Sequence, residues 1–268
     1  MKRQKLILDK KDKLTILAVS VSMLLFAVLV KLSGISVSKI VLFQNQLLKL
    51  FLGGGTEIIS LALILPLLSA FLFLVLALAF LSSYGTARDE YRVGMISGII
   101  SAVIVAFVLP SIPALVFGIS LIIAFSYIVS LSNTYFMELK KWKFFRTGSH
   151  AAGRALLIIN LGLVLGIFIS VNIGIEDHKI IFKEDLTNAV SSAALAALPI
   201  ESPELKNQIE AQVEGMVEGM PLFQSFIKWL PFLTAFSAWI FLEFMRSLVL
   251  SNICGVFTAV LIRKYQKS

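Results

Sequence analysis

Runs of about twenty apolar residues recur along this chain, and they dictate most of what it can fold into. They cover Leu14–Val30, Ile58–Leu81, Val93–Leu109, Ala114–Leu131 and Ala155–Ile173, with a longer final stretch from Phe226 to Ile262. At 1.5 Å per residue, a helix of roughly twenty residues matches the hydrocarbon thickness of a bilayer, about 30 Å. A helix also satisfies its own backbone polar groups, which an open strand in lipid does not. With 58% apolar and 15% charged residues and a mean hydropathy of +0.91, the chain lies outside the range of soluble globular domains. The expected fold class is all-α: a polytopic integral membrane protein of about six transmembrane helices, with a small extracytoplasmic helical hairpin between the fifth and sixth.

Charge sets the expected orientation. Lys and Arg number six in residues 1–13, two in "SYGTARDEYR", five from Lys140 to Arg154 and three after Ile262. Six crossings place all of these on one side, and the excess of basic residues in short loops marks that side as cytoplasmic. Both termini are then cytoplasmic, in a plasma membrane. The run after "MKRQKLILDKKDK" lacks a small-residue cleavage site, so it reads as a first span rather than a signal peptide.

Three regions follow. Residues 1–174 form a five-span region; the third and fourth spans, both short, are joined by "LPSIP", where Pro110 and Pro113 break helix. An outer interfacial helix is expected near 35–52, with Ile40, Phe43, Leu47 and Leu50 opposite Lys39, Asn45 and Lys49, ending at Gly53–Gly55 before a Thr56 cap. Residues 175–225 carry nine Asp or Glu against three Lys. In them "LTNAVSSAALAAL" and "SPELKNQIEAQVEGMVEGM" are two amphipathic helices, the second capped by Ser202 and Pro203. Residues 226–268 hold a re-entrant or interfacial segment broken at Pro231, then the last span.

That last run contains an intramembrane charge pair, Glu243 and Arg246, which share a helix face at i,i+3. As one straight helix the run greatly exceeds the hydrocarbon core, so one end lies outside it. In the favoured arrangement Phe244–Ile262 crosses and the pair lies at the outer boundary with Trp229 and Trp239. In the second, the crossing begins at Phe226, the pair reaches the inner boundary, and the apolar tail hides against other helices. Either way the two charges neutralise one another, as intramembrane charges must, and they are functional candidates.

Small residues recur every four positions in two spans: Gly94, Gly98, Ala102, Ala106, and Gly162, Gly166, Ser170, Gly174. Such stripes allow close helix approach, within one chain or across a dimer seam. "LKKWKFFR" brings Lys140, Lys141, Trp142, Lys143, Phe144, Phe145 and Arg146 to the inner surface, to meet anionic lipid or a protein partner. Outside, Glu210, Glu214 and Glu218 form a like-charge stripe, read as a solvated face.

Chemistry is sparsely represented. His150 and His178 fall on opposite sides in this topology, Cys254 is alone, and catalytic or phosphate-binding motifs are missing. No catalytic, cofactor or metal role is assigned, and the turn around Asp89 reads as solvated and self-paired. The partners expected are membrane lipids and a protein partner or second copy, with no nucleic acid. The expected function is a non-enzymatic structural or assembly component of a membrane complex. The alternative is a permease subunit powered by a separate ATPase, with 139–146 as coupling helix and the small-residue stripes as dimer seam.

Overall fold

The computed structural model describes residues 8–42, 61–88, 90–197, 211–212, 215–216, 219 and 221–267. All regular structure among them is helical: α1 (Lys10–Ser33), α2 (Leu61–Ala87), α3 (Tyr91–Val108), α4 (Ile112–Glu138), α5 (Lys143–Ile173), α6 (Ile175–Ala197) and α7 (Pro221–Met245). A π-helical turn, Arg246–Leu250, and α8 (Ser251–Lys267) complete the chain. Six stretches are long and apolar enough to cross a membrane: Lys10–Ser33, Leu65–Ala87, Tyr91–Val108, Ile112–Glu138, Lys143–Ile173 and Gln224–Arg263. This is a multi-pass membrane protein by length and composition of its helices.

Local signals explain where helices start and stop. At the start of α1 the Asp9 carboxylate accepts from Lys10 N at 2.6 Å, and Asp12 reaches back to accept from Asp9 N at 2.9 Å. These two carboxylates satisfy first-turn donors that would otherwise face no partner. At the other end Gly34 adopts φ 62°, a left-handed cap that a residue without Cβ reaches at no steric cost. Ser111 caps α4, its Oγ accepting from Ala114 N, and Pro113 sits in the first turn where its missing N–H costs nothing. The expected hairpin of α3 and α4 is present, but α4 runs 27 residues rather than ending at Leu131. Hydropathy marks the apolar part of a helix, and here the helix continues beyond it.

The described residues divide into two compact units, one of Met1–Gly34, Leu61–Gly166 and Trp239–Ser268, the other of Ile35–Ser60 and Ile167–Ala238. In the first, Val19, Met23 and Ala27 of α1, Leu74, Leu78 and Leu81 of α2, Leu121, Phe125 and Ile128 of α4, and Leu156 of α5 make one buried core. Phe26 stacks on Phe117 with ring centroids 5.5 Å apart. Large apolar residues also face outward on the same helices; Leu17, Val103, Phe107 and Ile119 are all more than half exposed. Helices apolar on both faces suit lipid outside and packing inside. In the second unit Phe182 of α6 stacks on Phe226 of α7 at 4.9 Å, and Leu230 is fully buried.

Two expectations about helix continuity are corrected. The break placed at Pro231 is absent, since α7 is continuous through that residue. One missing N–H in a 25-residue helix is a local loss, and nearby Thr234 and Ser237 hydroxyls add bonds to the helix carbonyls of Leu230 and Thr234. The irregularity lies instead at Arg246–Leu250. Likewise the small-residue helix expected from Leu186 begins earlier, at Ile175, with only Gly174 between it and the end of α5. Of the interfacial helix near 35–52, residues 37–42 are helical, and the rest, with Gly53–Gly55 and Thr56, lies outside the described residues. Most of 198–220, including Ser202, Pro203, Glu210, Glu214 and Glu218, also lies outside them.

Candidate functional site

The charged pair of the last stretch borders a polar cleft in the first unit. Glu243 sits in the last turn of α7 and Arg246 opens the π-helical turn. Arg246 grips Glu243 with a fork, its Nε donating to Oε2 at 2.8 Å and its Nη2 donating to Oε1. Its Nη1 donates to the carbonyl of Gly153 in α5 at 2.9 Å. The pair therefore lies beside Gly153, in the half of α5 that begins at Lys143. Leu250, Cys254, Thr258 and Ile262 of the following stretch are buried. Gly255 packs on Phe145 so closely that an added Cβ would lie 2.8 Å from its carbonyl oxygen.

The π-helical turn reshapes this corner. The extra residue leaves the Arg246 carbonyl accepting from Ser251, through both its backbone N–H and its Oγ at 2.8 Å. Such single-turn bulges re-aim side chains and recur at functional sites. Here Arg246, Ser247 and Ser251 face Ser149, His150, Gly153, Arg154 and Leu157 of α5 across an open cleft of about 460 Å³. Gly153 keeps the walls close, with Ser251 Oγ 3.3 Å from where its Cβ would be.

The basic aromatic stretch is split by the structure. Leu139–Trp142 connects α4 to α5, and Lys143 already begins α5. Phe144 stacks on Phe136 at 6.0 Å, Lys143 Nζ lies 3.8 Å from the centre of the Phe136 ring, and Phe145 packs on Gly255. Facing out are Lys140, Lys141, Arg146 and Trp142, the last 80% exposed. Trp142 holds φ 54°, the left-handed region that a bulky residue adopts only under constraint, and its carbonyl accepts from Arg146 N at 2.9 Å.

Both small-residue stripes meet α4. A Cβ on Gly94 would fall 2.1 Å from the Phe125 carbonyl oxygen, one on Gly98 2.7 Å from Ile122 Cα, and Ala102 faces Gly118. Ala106 continues that face, half-buried. A Cβ on Gly162 would lie 2.4 Å from Ser120 Cβ, and on Gly166 2.7 Å from Pro113 Cα. Ser170 and Gly174 belong to the second unit, where Gly174 has ordinary contact, its nearest neighbour being His178 of its own chain segment at 3.5 Å.

One polar cluster went unforeseen. Asp12 of α1 is buried, and it accepts from Tyr84 Oη at 2.9 Å and Arg88 Nη1 at 3.2 Å, while Arg88 Nη2 donates to Asp9 at 2.8 Å. The Arg88 guanidinium holds the Asp9 carboxyl below its usual range. Arg88 of "ARDE" is thus tied to α1, while Asp89, on which the expectation of a self-paired turn rests, lies outside the described residues. In the second unit His178 is 7% exposed, its Nδ1 has no hydrogen-bond partner among the described residues, and burial pushes its pKa down. Among the described residues no group of three His, Cys, Asp or Glu could hold a metal ion. No family model, curated protein or solved structure matches the chain.

Proposed function

We propose that the protein is a non-enzymatic, multi-pass structural or assembly component of the cytoplasmic membrane, with both termini inside, that docks a protein partner through the α4–α5 connector. The observation that carries this reading is the connector's construction. Phe136, Lys143, Phe144 and Phe145 are used to brace it, which leaves Trp142 held outward in a left-handed conformation between Lys141 and the first turn of α5. An exposed Trp beside two exposed Lys combines an anchor residue enriched among interface hot spots with charges that orient an acidic partner or anionic lipid.

Two observations favour this over the ATPase-driven permease. Of the stripes which that reading needs as a dimer seam, Gly94, Gly98, Ala102, Gly162 and Gly166 back onto α4 of the same chain. The stretch it needs as a coupling helix is no separate helix: Leu139–Trp142 is non-helical and Lys143–Arg146 is the first turn of α5. Reconstitution is the test. Purified protein in vesicles should pass no solute, and K140E/K141E should release the co-purifying partner while leaving the bundle folded. Solute flux by the isolated protein would overturn the proposal.

A further inference from the structure

We infer that the cleft between α5 and the π-helical turn is a binding site for the phosphate of an anionic phospholipid headgroup. This site is separate from the connector, and the inference does not rest on the scaffold reading.

The charge arithmetic favours an anion. Glu243 occupies the Nε and Nη2 edge of Arg246 and Gly153 O takes one Nη1 hydrogen, so two of the five guanidinium donors remain for the cleft Arg246 lines. Arg154 also lines it, is exposed, and has no carboxylate partner among the described residues. His150 and the Ser149 hydroxyl add donors, the hydroxyls of Ser247 and Ser251 being engaged with Glu243 Oε1 and the Arg246 carbonyl, and no lining residue is acidic. Two arginines beside an imidazole and a hydroxyl make a donor set suited to multidentate phosphate recognition.

Depth selects the lipid as the source of that phosphate. The apolar run Ala155–Ile173 begins directly after Arg154, and its nineteen residues at 1.5 Å each cover about 28 Å, close to the core thickness. His150 and Arg154 then stand just beyond the hydrocarbon boundary, at headgroup level. Beside the cleft Phe244 and Leu248 are more than half exposed, giving acyl chains an apolar surface next to the basic one. The π-helical turn is what brings Arg246, Ser247 and Ser251 together here, so the bulge builds the site.

Native mass spectrometry of the full chain in mild detergent tests it, with phosphatidylglycerol, phosphatidylcholine and inorganic phosphate as probes. One phosphatidylglycerol should be retained at least tenfold more tightly than phosphatidylcholine, and R154Q and H150Q should each weaken it, R154Q by about tenfold or more. R263Q, outside the cleft, and K140Q/K141Q, on the connector, should leave this single site unchanged. The slow reaction of buried Cys254 with a thiol dye verifies that each variant is folded. Equal retention by folded R154Q overturns the site. Retention of inorganic phosphate in place of phosphatidylglycerol overturns the lipid assignment, and loss in K140Q/K141Q alone moves the lipid to the connector and overturns it too.

Discussion

Replacing Gly94 by Ala tests the packing account with a single methyl group. The added Cβ would lie 2.1 Å from the Phe125 carbonyl oxygen, 2.8 Å from its carbonyl carbon and 3.0 Å from Ser126 Cα. All three obstacles are backbone of α4, so no side chain can rotate away. Reaching an ordinary contact of about 3.4 Å requires α3 and α4 to separate locally by roughly 1.3 Å. A gap of 0.5–1 Å already forfeits about a quarter to a half of each dispersion contact along its length. Overpacking of this kind costs about 1–3 kcal/mol, and the upper end applies because the clash is with backbone. Against this, Ala is better than Gly inside a helix by about 0.5–1 kcal/mol, which offsets only part of the clash. The assay uses the lone cysteine: Cys254 is fully buried, so a thiol-reactive fluorophore reports unfolding. The net cost of about 2–2.5 kcal/mol means that G94A should lower the apparent Tm by roughly 4–10 °C, taking about 2–4 °C per kcal/mol for a chain this size. G174A, whose Cβ would meet only His178 at 3.5 Å, should leave Tm unchanged or slightly raised. An unchanged Tm in G94A refutes the close seam between α3 and α4.

Other perturbations follow from the polar contacts. E243Q and R246Q should each destabilise, and a double-mutant cycle should return a coupling of about 1–2 kcal/mol, since the pair is forked and mostly buried; zero coupling would show the two charges acting independently. D12A should cost about 1–3 kcal/mol, more than Y84F, because it removes the acceptor of both Tyr84 Oη and Arg88 Nη1, and the double variant should cost less than the sum. His178 gives a pH signature. Burial lowers its folded pKa below the ordinary 6.5, so the unfolded chain takes up the proton first. Stability should be flat above about pH 6.5 and fall as pH drops below it, whereas H178Q should lose that component in thermal melts followed by circular dichroism. A wild-type curve parallel to H178Q across pH 8 to 5 would contradict this.

What could be read from the sequence divides along physical lines. The six spans were legible because lipid demands a long apolar run for each, and the stripe Gly94–Gly98–Ala102 was legible because a period of four survives on one helix face. Helix ends were misjudged at Glu138 and Lys143 since polar residues continue a helix as readily as apolar ones, so hydropathy stops before the backbone does. Pro231 misled because its cost is one hydrogen bond, which a long helix absorbs. The partners of Glu243 and Arg246 were half visible. Their mutual pairing is local, at i,i+3, while the bond to Gly153 spans 93 residues and depends on a π-helical turn that no periodicity announces. Asp12, Tyr84 and Arg88 meet for the same kind of reason, across 72 and 76 residues.

The account stands most directly on what Trp142 touches in the native membrane. Placing a photoreactive amino acid at position 142 of the full chain and illuminating intact membranes measures it. The account predicts one dominant protein adduct, a partner or second copy without nucleotide hydrolysis, that disappears in K140E/K141E. An adduct with an ATPase, or adducts with lipid alone, would contradict it.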